Sequence, residues 1–223
     1  MTVVGQPSKN LIELHNSNYG DFNGDGFEDL VVTWAVFPHT LERESTKSQV
    51  EIYLNDGTGR LKKDHQFFFD REPPSRHMTY RIVVEDFNLD GIDDIFVGSM
   101  GLSKRNPDGS YTSFSEPNVL LLSDNGLMKD ASNMIDYKGE TSFSHDASAG
   151  DVNGDGYPDI LAGRALFLSN LGQSFTNISE QLPSDWRDWS KYQYTMSSLM
   201  EDFNGDGLAD IVMLWNDDEF NPN

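Results

Sequence analysis

Cysteine is absent from this chain of 223 residues. Disulfide bonds therefore contribute nothing to its stability, which has to come from side-chain packing and from bound ions. An apolar run of 18 residues is also missing, as is a basic segment followed by an apolar stretch near Met1. Neither a membrane-spanning helix nor a signal peptide is predicted from these residues.

Positive charge is scarce, because 16 lysines and arginines stand against 37 aspartates and glutamates and leave a formal net charge of −21. Such a chain is repelled by the backbone of nucleic acids and by anionic membranes, so neither is expected as a partner. The hydrophobic fraction of 37% lies well above a disordered composition. We therefore expect a folded acidic domain covering residues 1–223.

Much of the acidity lies in four copies of one pattern, Asp-x-Asn-x-Asp-Gly-x-x-Asp. The copies are separated by about 50 to 65 residues, which is typical of a repeat architecture. They occupy residues 21–29, 86–94, 151–159 and 202–210.

Oxygen-bearing side chains at positions 1, 3, 5 and 9 of each copy, with glycine at position 6, suit a loop that wraps around a hard cation such as Ca²⁺. The alternative is a set of Asx-rich turns that bind no metal, since Asp, Asn and Gly favour turns by themselves. Turn propensity alone does not require an aspartate at position 9, so the pattern favours metal binding. The predicted side-chain ligands are Asp21, Asn23, Asp25, Asp29, Asp86, Asn88, Asp90, Asp94, Asp151, Asn153, Asp155, Asp159, Asp202, Asn204, Asp206 and Asp210.

The residues after each loop decide between helices and strands. A short apolar run follows every copy, as in Leu30-Val31-Val32, which is typical of a buried strand. An EF-hand would instead need a bidentate glutamate at loop position 12. That position holds Val32, Val97, Ala162 and Met213, so each loop is predicted to be the turn of a β-hairpin.

A second, weaker repeat consists of an apolar strand that runs into a polar turn with glycine. It occurs at residues 50–57, 119–126 and 165–172. Each repeat unit therefore has four antiparallel strands, A to D, with the acidic loop between A and B, and this unit is a propeller blade. The prediction is an all-β fold of about three and a half blades, forming an incomplete arc of a larger or oligomer-completed propeller. Closure of a four-bladed ring by the N-terminal segment is the alternative.

These loops and flanking strands, from about residue 11 to residue 215, resemble the FG-GAP and VCBS-type repeats of integrin-alpha-like β-propellers. The Gly-Ala-Pro element of FG-GAP repeats is missing after strand B, which favours the looser bacterial VCBS-like group. The resemblance implies up to four Ca²⁺ ions and adds the main-chain carbonyl at loop position 7 as a ligand. Position 7 is occupied by Phe27, Ile92, Tyr157 and Leu208.

In such blades the acidic loops and C–D turns lie on one face, and the B–C and D–A connections lie on the other. The B–C connections at 33–49 and 99–117 are long, so the partner is expected on the face opposite the ions. Trp186, Arg187 and Trp189 precede the fourth loop, where they could stack on sugar rings and hydrogen-bond their hydroxyls. The alternative is that both tryptophans wedge between blades.

No catalytic motif surrounds any serine, so we expect a non-catalytic module in adhesion or in recognition of a protein or carbohydrate ligand. A part of a polysaccharide-degrading enzyme such as a lyase and a purely structural spacer are the alternatives. Calcium sites of modest affinity fill outside the cytosol, which favours an extracellular, cell-surface or periplasmic location.

Overall fold

The computed structural model describes residues 13–35, 47–138, 143–187 and 195–215. Regular structure in these ranges consists of β-strands and four short 3-10 helices, at His65–Phe67, Ser132–Met134, Ser179–Gln181 and Ser184–Arg187. In chain order the strands are β1 (Glu13–Gly20), β2 (Asp29–Ala35), β3 (Lys47–Gln49), β4 (Glu51–Asn55), β5 (Leu61–Lys63), β6 (Ser75–His77), β7 (Thr79–Glu85), β8 (Asp94–Ser99), β9 (Leu102–Arg105), β10 (Tyr111–Phe114), β11 (Val119–Asp124), β12 (Leu127–Asp130), β13 (Ile135–Asp136), β14 (Ala147–Gly150), β15 (Asp159–Ala162), β16 (Ala165–Ser169), β17 (Phe175–Asn177), β18 (Thr195–Glu201) and β19 (Asp210–Trp215).

The strands form the predicted blades. The first blade has the order β1-β2-β4-β5 and the second β7-β8-β11-β12. The third has the order β14-β15-β16-β17, with β13 added in parallel beside β17, and the fourth is the hairpin β18-β19. The inner strands β1, β7, β14 and β18 lie side by side in this order. The all-β fold is confirmed, and the described blades do not close into a ring, as expected for an incomplete arc; the N-terminal residues 1–12, which would close a four-bladed ring in the alternative, lie outside the described ranges.

Every acidic loop joins two antiparallel strands, which confirms the hairpin prediction. In β8 and β15 the apolar run after the loop becomes the B strand because its side chains are buried on both faces of the sheet. Ile95 and Val97 of β8 pack in the core between the first and second blades, whereas Phe96 packs in the core between the second and third. This alternation follows from the two-residue period of a strand.

The long B–C connections are partly built into small hairpins. Strand β2 continues to Ala35, beyond the predicted start of the first connection at Thr33, and residues 36–46 lie outside the described ranges. The end of this connection forms β3, which pairs with β6, and the second connection contains the hairpin β9-β10. The third link is only Gly163-Arg164, as expected from the shorter third repeat.

Neighbouring blades approach each other closely at the residue before the first and third loops. A Cβ on Gly150 would lie 2.8 Å from Cβ of Ala209 and 3.1 Å from Cβ of Met200, both in the fourth blade. The same place in the first blade is Gly20, whose Cβ would meet Val84 at 2.8 Å. Between the second and third blades, by contrast, the place is occupied by Glu85.

Gly150→Val should therefore destabilise the protein by about 1–3 kcal/mol, the usual range for forcing extra atoms into a packed contact. Urea unfolding measures the change in free energy. Glu85→Val is the matched control, because it places the same residue at the equivalent position where a Cβ is already present. Equal losses of unfolding free energy in the two variants would show that the close approach of the fourth blade to Gly150 does not cause the destabilisation.

Candidate metal loops

The four acidic loops share one internal hydrogen-bond scaffold built by their own aspartates. Asp21, at position 1, accepts from the backbone N–H of Asp25 at 3.0 Å and of Gly26 at 2.7 Å. Asn23 Oδ1 also accepts from Asp25 N–H, and Asp25 Oδ1 accepts from Phe27 N–H at 3.0 Å. In each of the other three loops, the N–H groups at positions 5, 6 and 7 also donate to aspartate or asparagine side chains of the same loop.

The aspartate at position 9 ties each of the first three loops to its own blade. Asp94 accepts at Oδ2 from Phe87 N–H at 2.9 Å and at Oδ1 from Ser123 N–H at 2.6 Å, at the end of strand β11. Asp29 bonds Phe22 and Asn55 in the same way, and Asp159 bonds Val152 and Ser169. These three carboxylates are almost fully buried. Position 9 thus fixes the loop to the end of strand C, as well as being a predicted ligand.

The charged form of these three buried carboxylates is disfavoured. Burial raises the pKa of Asp94 to about 7, with the negative charges of Asp90 and Asp86 adding to the rise against the backbone hydrogen bonds that lower it. Burial likewise raises the pKa of Asp159 to about 6, and raises that of Asp29. In each case the charged neighbours are positions 1 and 5 of the same loop. In these three loops the carboxylate at position 9 is therefore close enough to those at positions 1 and 5 to be repelled by them.

The burial of these carboxylates, together with the repulsion from their neighbours, gives the metal-free protein a definite pH dependence. Because the pKa values of Asp94 and Asp159 are higher in the folded state than the ~3.9 of an unfolded aspartate, the folded state holds more protons between about pH 4 and pH 7. Their contribution to stability is present below pH 4 and is lost as the pH rises to 7. The melting temperature of metal-free protein should fall across this window, and added Ca²⁺ should raise it far more at pH 7.5 than at pH 5. A calcium effect of equal size at both values would contradict this.

The donor set of each loop fits a hard cation. Three aspartates, one asparagine and a main-chain carbonyl are the oxygen ligands that Ca²⁺ prefers. A carboxylate has about four lone-pair sites, so the two N–H bonds at Asp94 leave room for an ion. Within the described ranges no three His, Cys, Asp or Glu side chains form a group that could hold a metal ion. The aspartate oxygens of the loops accept hydrogen bonds from backbone N–H groups instead. Metal binding by the loops therefore stays a prediction.

Hydrogen bonds join some neighbouring loops. Asp93 N–H donates to the Asp21 carbonyl at 3.2 Å, while Asp93 Oδ2 accepts from Asp21 N–H at 2.8 Å. Ala209 N–H donates to the Asp151 carbonyl at 2.7 Å in the same way. Pro158 occupies this place in the third loop and has no N–H to donate. The second and third loops therefore lack this link.

Sequence reasoning missed the residue near the end of each C strand that holds position 9. Asn55, Ser123 and Ser169 donate the backbone N–H that holds position 9. A signal was present, because the apolar run of each of the three C strands stops at Asn or Ser. These bonds also bring the C–D turns beside the acidic loops, which confirms that both lie on one face, here called the loop face.

The opposite face carries an ionic cluster where the B–C and D–A connections meet. Glu116 accepts from His77 N–H at 2.8 Å, lies 3.1 Å from His77 Nδ1 and pairs with Lys47 Nζ at 3.2 Å. Arg76 Nε donates to the Pro117 carbonyl at 2.9 Å. These contacts stabilise the connections of the first two blades against one another.

The proposed sugar-stacking residues are only partly described. Trp186 lies in the short helix Ser184–Arg187, is half-buried and packs edge-on against Trp215, with ring centroids 5.8 Å apart. It contributes to the core between the third and fourth blades, as the wedge alternative requires. The Arg187 side chain and Trp189 lie outside the described residues, so their role stays a prediction.

Blades of four antiparallel strands, each containing an acidic A–B hairpin, define a propeller-type repeat protein. Comparison with known families agrees, since an FG-GAP-like repeat model matches residues 21–97 and an FG-GAP repeat model matches residues 143–175. The chain is an FG-GAP repeat protein. Its narrower placement in a bacterial VCBS-like group stays a prediction.

Relatives and solved structures are similar over part of their length. Phosphatidylinositol-glycan-specific phospholipase D of Bos taurus is 32% identical over 64% of this chain and 17% of its own length. Integrin alpha-7 of Rattus norvegicus is 30% identical over 64% of this chain and 12% of its own. A rhamnogalacturonan lyase of Bacillus licheniformis superposes with a TM-score of 0.52 and 16% identity, covering 90% of this chain and 40% of that one. The chain thus spans less than a fifth of these curated relatives, and the likeness to the lyase concerns the fold alone.

Among the described residues, no helix has the length and apolar character needed to cross a membrane.

Proposed function

We propose that this chain is a calcium-binding β-propeller module that acts in adhesion or ligand recognition. The observation that carries the calcium part is an acidic hairpin that occurs four times and that, in its first three copies, brings the position-9 carboxylate close enough to the carboxylates at positions 1 and 5 to be repelled by them. A bound Ca²⁺ removes this repulsion and fixes the hairpin, so that the strands keep their register. The ligands in each loop are the side chains at positions 1, 3, 5 and 9 and the carbonyl at position 7.

Calcium binding is tested by isothermal titration of metal-free protein, with up to four ions expected. Asp25→Ala should reduce the number of bound ions by one, because position 5 is a ligand in the first loop. Asp56→Ala is the matched control, since Asp56 is an exposed aspartate of the neighbouring C–D turn that bonds only within that turn. Unchanged stoichiometry in Asp25→Ala would refute the assignment of that loop.

The recognition role rests on the long connections at the face opposite the loop face. Rigid blades that present variable loops are a common arrangement for binding, and the ionic cluster around Glu116 holds two of these connections in place. The relatives include an integrin alpha chain, which supports adhesion and an exported location, extracellular, at the cell surface or periplasmic. The ligand is a protein or a carbohydrate.

A carbohydrate ligand is tested by titrating oligosaccharides while following tryptophan fluorescence. If Trp189 stacks on a sugar ring, binding quenches or shifts the emission and Trp189→Phe removes the response. Trp34→Phe is the control, because Trp34 lies in strand β2 of the first blade. Absence of any response across the panel would remove the carbohydrate form of the proposal.

A second candidate is a part of a polysaccharide-degrading enzyme, favoured by the likeness in fold to a rhamnogalacturonan lyase over 90% of this chain. Absorbance of unsaturated sugar ends released from a panel of acidic polysaccharides tests it. Release would favour the lyase, and its absence would favour the binding module. A purely structural spacer would show calcium stabilisation without any ligand.

A further inference from the structure

Two leucines on the loop face are exposed to solvent at the boundary between the second and third blades. Leu89 is position 4 of the second acidic loop and is 49% exposed, and Leu171 lies in the C–D turn of the third blade and is 53% exposed. The two segments that carry them touch, because a Cβ on Gly172 would lie 2.9 Å from Cα of Asn88. The two leucines therefore lie close together, and they are called the leucine pair below.

Both leucines have a left-handed backbone conformation that bulky residues rarely adopt. The φ angle is +57° at Leu89 and +52° at Leu171. The second blade has Asn125, with φ of +53°, at the turn position that Leu171 occupies in the third. Position 4 of the other three loops also has positive φ and is glycine in each, at Gly24, Gly154 and Gly205. Glycine and asparagine adopt this conformation with less strain, so the fold itself does not require a leucine at either place.

The exposure of the leucine pair does not come from an edge of the arc. The second and third blades each contact a neighbouring blade on both sides. All four acidic loops and all three C–D turns lie within the described ranges. The undescribed segments are joined to the described chain on the opposite face, where the A strands begin and the B strands end. The pair is thus exposed in the middle of a fully described surface.

The segments around the leucine pair are acidic. The Ser123 hydroxyl donates to Asp90 and the Ser169 N–H donates to Asp159, so the turns at 123–126 and 169–174 lie beside the loops at 86–94 and 151–159. These four segments contain eight aspartates and no lysine, arginine or histidine. One Ca²⁺ in each of the two loops would neutralise only half of this charge. A partner that covers the leucine pair therefore has to be cationic, because electrostatic complementarity selects partners and repels like charge.

We propose that the leucine pair and the aspartates around it form a docking surface for a polypeptide segment in which lysine or arginine side chains alternate with apolar ones. The apolar side chains of the segment cover Leu89 and Leu171, and its cations lie beside the surrounding carboxylates. Strained residues persist where their side chains have a function, which accounts for leucine at two positions that suit glycine and asparagine. This surface is on the loop face and is separate from the recognition surface proposed for the opposite face.

The test combines peptide binding with thermal stability. The probe is a fluorescently labelled synthetic peptide of alternating lysine and leucine, and its anisotropy should show saturable binding to the whole protein in calcium buffer. A lysine–serine peptide carries the same charge and should bind roughly tenfold or more weakly, since it buries no apolar side chain. A glutamate–leucine peptide should not bind, because the aspartates repel it.

The informative variant is Leu89→Gly combined with Leu171→Asn, which gives each position the residue of its sister segment without changing the charge. It should weaken binding of the lysine–leucine peptide roughly tenfold or more, while its melting temperature stays equal to that of the unaltered protein or rises as the backbone strain is relieved. Leu199→Asn is the matched control, because Leu199 is an equally exposed leucine on strand β18. It should leave peptide binding unchanged.

Several results would overturn the proposal. Absence of peptide binding would remove the surface, and equal binding of the lysine–serine peptide would reduce it to charge alone. Equal binding by the double variant would place the peptide elsewhere, and a lower melting temperature of that variant would assign the leucines to the stability of the fold. Dimers that are lost in the double variant would assign the surface to a second copy of this chain. The calcium stoichiometry and the ligand of the opposite face are measured independently, so failure here does not affect the proposed function.

Discussion

Removal of calcium should lower the melting temperature of this protein by more than about 10 °C. Each site filled at 100 times its dissociation constant adds about 2.7 kcal/mol to the free energy of unfolding. In a protein of this size 1 kcal/mol shifts the melting temperature by about 2–4 °C, so two sites already account for the change. Natural domains have only ~5–15 kcal/mol of stability in total, which makes four such sites a large share of it.

The measurement is a thermal unfolding scan by circular dichroism in a chelator and again after excess Ca²⁺ is restored. Mg²⁺ at the same concentration is the control, because it demands near-ideal octahedral geometry and gives up its water reluctantly. It should restore much less of the lost stability. Equal melting temperatures with and without Ca²⁺ would show that the loops are held by their own hydrogen bonds alone.

Asp94→Ala should be strongly destabilising even without metal. The substitution leaves the buried N–H groups of Phe87 and Ser123 without their acceptor, and each costs about 1–3 kcal/mol. We expect a total loss of about 3 kcal/mol or more in urea unfolding of metal-free protein. The position-9 carboxylate therefore has a structural role that does not depend on an ion.

Asp210→Ala is the matched control for that experiment. Asp210 holds the same repeat position, but it is only half-buried and receives no N–H from a described C strand. Its replacement should cost less than about 1 kcal/mol without metal, because an exposed N–H can bond to water. Similar losses for the two variants would contradict the role assigned to the Ser123 bond. In calcium both variants should bind one ion fewer.

The strands and loops were predictable because each is determined by local sequence. Apolar runs such as Ile95-Phe96-Val97 specify a buried B strand, and Asp, Asn and Gly at fixed spacing specify the turn before it. The bond from Ser123 to Asp94 was not predicted, because it joins residues from different hairpins and depends on strand register. The close approach at Gly150 was missed for a similar reason, since it arises only when the fourth blade packs on the third.

The aromatic segment before the fourth loop shows where sequence reasoning leaves alternatives. A tryptophan that packs between blades and a tryptophan that stacks on a sugar can have the same kinds of residues next to them in the sequence. Only the contact of Trp186 with Trp215, a residue of the following B strand, places this ring in the core between blades. For Trp189 the two interpretations remain distinct predictions.

The most direct test of the calcium assignment is a crystal structure of the protein grown with Ca²⁺. The account predicts one ion in each loop, with oxygens of positions 1, 3, 5 and 9 and the carbonyl of position 7 at about 2.3–2.6 Å. Loops that contain no ion, with the position-9 carboxylates bonded only to backbone N–H groups, would contradict it.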